Sequence, residues 1–170
     1  MSSLKRAQRV ALALVATLAF ASAAQAELPR QDPSRCKGQK EITPLQPLVA
    51  HTASGPVTFK VELADTQTKR EYGLMCRRSL APDRGMLFDF KVVQPQTAFW
   101  MRNTLIPLDI IYIRKDGTVL SIARNVQPLD ETPVPSGGPT LAVLEVAAGR
   151  TAQIGLLPGD RISHKIFKRG

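Results

Sequence analysis

Histidine, cysteine and aromatic residues are scarce in this chain of 170 residues: two His, two Cys, one Trp and 5% aromatics overall. So few imidazole and thiolate ligands argue against a zinc site of four cysteines, of two cysteines with two histidines, or of the HExxH type. No Gly-rich loop is present to cradle a phosphate, and no Gly-x-Ser-x-Gly turn to expose a nucleophile. The apolar run from Val10 to Phe20 holds 11 residues, whereas a helix crossing about 30 Å of hydrocarbon needs about 20. The apolar share is an ordinary 44%, which excludes wholesale disorder. The length fits one domain.

The short apolar run has a different use. Lys5, Arg6 and Arg9 precede it, and Ala24-Gln25-Ala26 follows with the small-x-small spacing that signal peptidase requires. Residues 1–26 therefore read as a cleaved signal peptide, and the mature chain as periplasmic or secreted with no transmembrane anchor. No Cys follows the run where a lipoprotein would carry one. Without this segment the balance is 20 cations to 14 acids, or +6. The cations are scattered, apart from the short Lys165–Arg169 tail, rather than forming a stripe with interleaved aromatics. That pattern argues against a nucleic-acid partner and for weak attraction to anionic envelope components.

Residues 27–55 read as a Pro-rich arm, with Pro29, Pro33, Pro44 and Pro47. Residues 56–170 read as a single globular α+β domain. Val57, Phe59, Val61 and Leu63 alternate with polar residues as in a half-buried strand. Asp65-Thr66 supplies an N-cap for a helix over 67–76, whose 3.6-residue period would place Tyr72, Met75 and Cys76 on one face. Strands are expected at 85–90, 97–101, 108–114, 118–126, 140–146 and 162–167, with a second short helix at 149–154. Lys115-Asp116-Gly117 marks a tight hairpin. Gln127–Pro139 is long and rich in Pro and Gly, as binding loops or lids often are. The expected architecture is one compact α+β domain, with a largely antiparallel, barrel-like sheet and two short helices.

Several motifs together resemble a known family. Gly73-Leu74-Met75-x-Arg77, Gly85-Met86-Leu87-Phe88-x-Phe90 and Phe99-Trp100-Met101-x-Asn103-Thr104-x-x-Pro107-Leu108-Asp109-Ile110 are similar to those of family 192 of the domains of unknown function. Val143-Leu144-Glu145 and Gly155-x-x-x-Gly159-Asp160 continue the likeness, which spans 57–167. Cys76 departs from it, standing where that motif more usually has an aromatic residue. The resemblance implies a compact, β-rich, often exported domain and brings no activity or cofactor with it.

Chemistry must then come from individual residues. Cys36 and Cys76 would pair in an oxidising compartment and staple the arm to the domain; the alternative is two separate thiols. Asp109 interrupts the apolar run 106–113, and a buried carboxylate needs a partner. Arg84, Arg102 and Asn103 are the candidates. Asp109 then acts either as a base or ligand acceptor beside Trp100, or as an architectural cap on nearby turn amides. Asp130 and Glu131 could complete an acid/base couple with Asp109, as in a metal-free hydrolase of envelope glycans. Met75, Met86 and Met101 suit either Cu(I) or core packing. Phe99 and Trp100 should face opposite sides of their strand. The reading chosen is a monomeric, non-catalytic module without cofactor or metal. It would bind a small polar ligand or envelope component where Arg77, Arg84, Trp100, Asn103, Asp109 and Asp130 converge, with Gln127–Pro139 as rim or lid.

Overall fold

The computed structural model describes residues 36–168. The signal-peptide segment, Pro29 and Pro33 of the arm, and Arg169 lie outside those residues. Among the described residues nine strands form: β1 (Gln46–Thr52), β2 (Gly55–Ala64), β3 (Arg84–Gln94), β4 (Ala98–Phe99), β5 (Leu108–Ile113), β6 (Val119–Val126), β7 (Val134–Pro135), β8 (Thr140–Ala147) and β9 (Arg161–Ser163). Helix α1 (Gln67–Tyr72) joins β2 to β3, α2 (Arg150–Gln153) follows β8, and a 3-10 turn covers Lys165–Lys168.

Seven strands make one sheet in the order β6-β5-β8-β3-β2-β1-β9. Every neighbouring pair is antiparallel except β2 and β3. A parallel pair needs a crossover, and α1 with the turns after it provides one. The sheet curls until its edges meet, through a bridge between Thr118 and Arg161 and flanking bonds from Val119 N–H to the Asp160 carbonyl and from Ile162 N–H to the Gly117 carbonyl. Gly117 (φ +88°) sits at this seam, and a Cβ there would meet the Ile162 carbonyl oxygen at 2.6 Å. The expected α+β barrel-like architecture is thus what the chain adopts.

Alternation divides the apolar residues between two cores. Val61, Leu63, Leu87, Ile111 and Leu144 fill the interior of the curl with Leu48, Phe59, Ile162 and others. The opposite face of β2, β3, β8 and β5 carries Ala64, Met86, Phe88, Val143, Ile110 and Tyr112, under a layer that brings Leu74 and Met101. The loop 127–139 belongs to this covering layer. Its segment β7 pairs with β4, the Tyr112 hydroxyl donates to the Val134 carbonyl, and Ser121 Oγ donates to the Ser136 carbonyl. It is bonded down at several points along its length.

Several expected boundaries move. The arm does not run to residue 55, because Gln46–Thr52 is a full strand between β2 and β9. Pro47 and Ala50 are weak strand formers and hide its alternation. Thr66 caps α1 as expected, its side chain accepting from Lys69 N–H. The helix stops at Tyr72, because Gly73 takes φ 49° and turns the chain back. Tyr72, Met75 and Cys76 therefore share no helical face. The last strand ends at Ser163, where the chain tightens into the 3-10 turn.

Candidate functional site

Asp109 is fully buried on β5, and its expected partners are not the ones it has. Oδ1 accepts from the amides of Asn125 (2.8 Å) and Gly149 (3.1 Å). Oδ2 accepts from Thr151 N–H (2.9 Å) and Thr151 Oγ1 (2.7 Å). A carboxylate offers about four acceptor positions, so this one is fully engaged. It ties the bend of β6 to the start of α2, and Arg124 extends the tie by donating to Thr151 Oγ1 and the Leu156 carbonyl. Asp109 is an architectural residue, with no lone pair free for a substrate proton or a ligand hydroxyl.

Arg77 and Arg84 hold the arm. Arg77 pairs with Glu62 on β2 at 2.6 Å and donates to the Lys40 carbonyl. The same Glu62 oxygen accepts from Ile42 N–H at 2.7 Å, and Arg84 pairs with Glu41 at 3.0 Å. The disulfide Cys36–Cys76, with Cα atoms 5.2 Å apart, fastens the segment further upstream. Arg77 bonds on β2, three strand spacings or about 14 Å from β5, and Arg84 opens β3, two spacings away and paired with Glu41, so neither arginine meets Asp109 as the sequence suggested.

Trp100, Asn103 and Asp130 do come together, on two loops knitted by backbone bonds. Met101 N–H donates to the Asp130 carbonyl, Leu129 N–H to the Thr104 carbonyl, and Cys76 N–H to the Asn103 carbonyl. Asn103 Nδ2 lies 3.8 Å from Met75 Sδ. Phe99 packs edge-on against Phe88, Phe90 and Tyr112, while Trp100 faces outward, 38% exposed, so the two rings do point opposite ways. The Arg102 guanidinium stacks 4.1 Å from the Trp100 centroid and pairs with Glu131 at 2.9 Å. Asp130 is exposed, and the Thr132 amide that it accepts holds its carboxyl below the usual range. Asp109, Asp130 and Glu131 therefore form no acid/base couple. Met86 and Met101 are wholly buried in the outer-face core, and the Cys76 sulfur is committed to the disulfide. Among the described residues, no group of three or more His, Cys, Asp and Glu could hold a metal.

One buried group escapes the reading from residues alone, where it enters only as part of a family motif. Register pairs Glu62 with Met86, Met86 with Glu145, and Glu145 with Ile110. The four form one row across the outer face, and two strand spacings, about 10 Å, separate the backbone positions of the two glutamates. Glu62 has Arg77 and an amide. Glu145 is 4% exposed, has no hydrogen bond or ion pair to any described residue, and is pushed up by burial to a pKa of about 8. Its row neighbours Met86 and Ile110 pack in one cluster with Leu74 and Met101 of the covering layer. The signal was available: Glu145 interrupts the apolar run 141–146 as Asp109 interrupts its own.

Two solved structures are similar to this chain in sequence and fold. A Novosphingobium aromaticivorans DSM 12444 protein of unknown function is 40% identical, with a TM-score of 0.70, over 75% of this chain and 100% of its own. A Sinorhizobium meliloti 1021 protein described as a candidate transcription regulator is also 40% identical, with a TM-score of 0.71, over 76% of this chain and 99% of its own. No curated protein matches. The model of domain-of-unknown-function family 192, described as "Uncharacterized ACR", matches residues 49–164. With that match over most of the curled sheet and its covering layer, the chain belongs to this family.

Proposed function

We propose that the protein is an exported, monomeric, non-catalytic module of the cell envelope that binds a small polar ligand at Glu145. The observation that carries this reading is a buried carboxyl without a partner among the described residues. Such a group costs stability, and buried groups with displaced pKa values gather at functional sites. Below pH 8 the carboxyl is mainly protonated, so it offers one O–H donor and one carbonyl acceptor. That pair suits a hydroxyl or amide of a sugar-like ligand. Trp100, Asn103 and Asp130 enter as part of the covering layer, with the outward Trp100 ring as a flat apolar contact. Arg77 and Arg84 enter only indirectly, through the arm. Export is supported by the signal pattern of residues 1–26 and by the Cys36–Cys76 disulfide. The described helices hold six and four residues and make no helix pair of the kind that enters a DNA groove.

Calorimetry against N-acetylated amino sugars, simple hexoses and small amines tests the reading, with wild type beside Glu145→Gln and Trp100→Ala. A neutral ligand should bind at pH 6.5 and weaken several-fold at pH 9 as the carboxyl ionises, and Glu145→Gln, whose amide keeps a donor and an acceptor, should lose that pH dependence. Binding that is the same in wild type and Glu145→Gln at both pH values would place the ligand elsewhere. Turnover of any glycan probe would replace the non-catalytic reading.

A further inference from the structure

The end of the curled sheet where its edges meet carries an unusual surface. Its centre is the β5–β6 turn, where Gly117 N–H donates to the Arg114 carbonyl. On one flank Val93 and Pro139 line a shallow groove with Arg114, Lys115 and Asp116. On the other, Ile162 N–H bonds the Gly117 carbonyl, and Gly159 N–H the Val119 carbonyl, drawing in the turn that carries Leu157. Phe167 lies beside Gly117, so the 3-10 turn with Lys165 and Lys168 belongs to the same end. Five large apolar side chains are exposed among the described residues; of these Val93 (40%) lines the groove, Val92 (65%) is its neighbour on β3, and Leu157 (55%) is carried by the adjoining turn.

The charges are one-sided. Arg114, Lys115, Arg161, Lys165 and Lys168 are all exposed, and none forms an ion pair with a described residue. The two acids in these turns are occupied locally. Asp116 accepts from Thr118 N–H with Arg161 close by, and Asp160 accepts from Leu157 N–H.

We propose that this end docks on an anionic phospholipid bilayer. The cations meet the headgroups, and Val92, Val93 and Leu157 reach into the boundary below them. Charge selects this occupant: a cluster of uncompensated cations is complementary to an anionic leaflet, and aliphatic tips among them gain by leaving water. A soluble polyanion would satisfy the cations and leave the three aliphatic side chains in water. The surface is independent of Glu145, which lies on the outer face of the mid-sheet row.

The test is vesicle flotation with protein recovered from an exporting host, its N-terminus established by mass. It should float with phosphatidylglycerol-containing vesicles, stay behind with phosphatidylcholine alone, and be released by salt, which screens these charges. Each cation near the surface is worth roughly a factor of five in partitioning, so Lys115→Glu with Lys168→Glu should cost roughly 25-fold or more. Val92→Ser, Val93→Ser and Leu157→Ser combined should weaken flotation strongly while retention on heparin stays unchanged. Heparin retention without flotation would make the partner a soluble polyanion and overturn the proposal. Flotation of the triple serine variant at wild-type level, or of the charge-reversed variant, would overturn it as well. All five positions are exposed, and a circular dichroism spectrum matching wild type confirms the fold of each variant.

Discussion

Three buried carboxyls show how much a partner decides. Asp109 meets four donors, Glu62 meets a guanidinium and an amide, and Glu145 meets none among the described residues. Asp109→Asn replaces one acceptor oxygen by an NH2 that would face donors, which should cost about 2–4 kcal/mol. Urea denaturation monitored by Trp100 fluorescence measures it, and a loss below about 0.5 kcal/mol would contradict the network. Glu145 couples stability to pH. Burial raises its pKa from 4.5 to about 8, so the folded state holds the proton more tightly than the unfolded chain. Its contribution is fully present below about pH 4.5 and is lost as pH rises towards 8. Stability of the wild type should decline over that window by at most about 4–5 kcal/mol, and Glu145→Gln should flatten the curve. Equal slopes in the two proteins would show that Glu145 is not the titrating group. Both residues are legible as acids interrupting apolar runs. Their partners are not, because backbone amides brought in by distant turns leave no mark on local sequence.

Among the elements, strands with clear alternation and β-branched residues are readable, as β2 and β5 show. Alternation is imposed by the pleat itself. Segments whose place depends on partners are harder to read. Apolar spacing alone extends helix α1 by four residues, and the turn at Gly73 outweighs that spacing. Proline and glycine in the loop 127–139 suggest a rim or lid, yet it is bonded to Tyr112, Ser121 and β4. The arm is the clearest case. Its prolines suggest looseness, yet residues 36–42 are held by a disulfide, two arginines and Glu62. Closing a loop of 40 residues stabilises by about 4 kcal/mol in the chain-entropy account. Cys36→Ser should lower stability by up to that amount and open 36–42 to protease, while β1 stays protected by its pairing on both sides. Limited proteolysis with peptide mapping separates the two, and cleavage within 46–52 would show that the staple also holds β1.

At the scale of the molecule, the seam between β6 and β9 makes a curled sheet into a nearly closed one. Gly117 permits it. Gly117→Ala would set a Cβ 2.6 Å from the Ile162 carbonyl in a left-handed backbone conformation, and backbone cannot yield as a side-chain tip does. The expected loss is about 2–4 kcal/mol, with amide exchange rising first at Ile162 and Val119, whose N–H groups bond across the seam. Even protection across both strands would argue that closure is set elsewhere. The same seam has a temporal side. His51 on β1 touches Ser163 on β9 across 112 residues of chain, so β1 cannot find its second neighbour until those residues have been synthesised. At about 5–20 residues per second the wait is roughly 6–22 s. Throughout it β1 has one open edge and the inner core lacks Ile162 and Ile166. A ribosome-bound chain therefore cannot complete this fold early, and an incomplete chain stays extendable enough to be threaded.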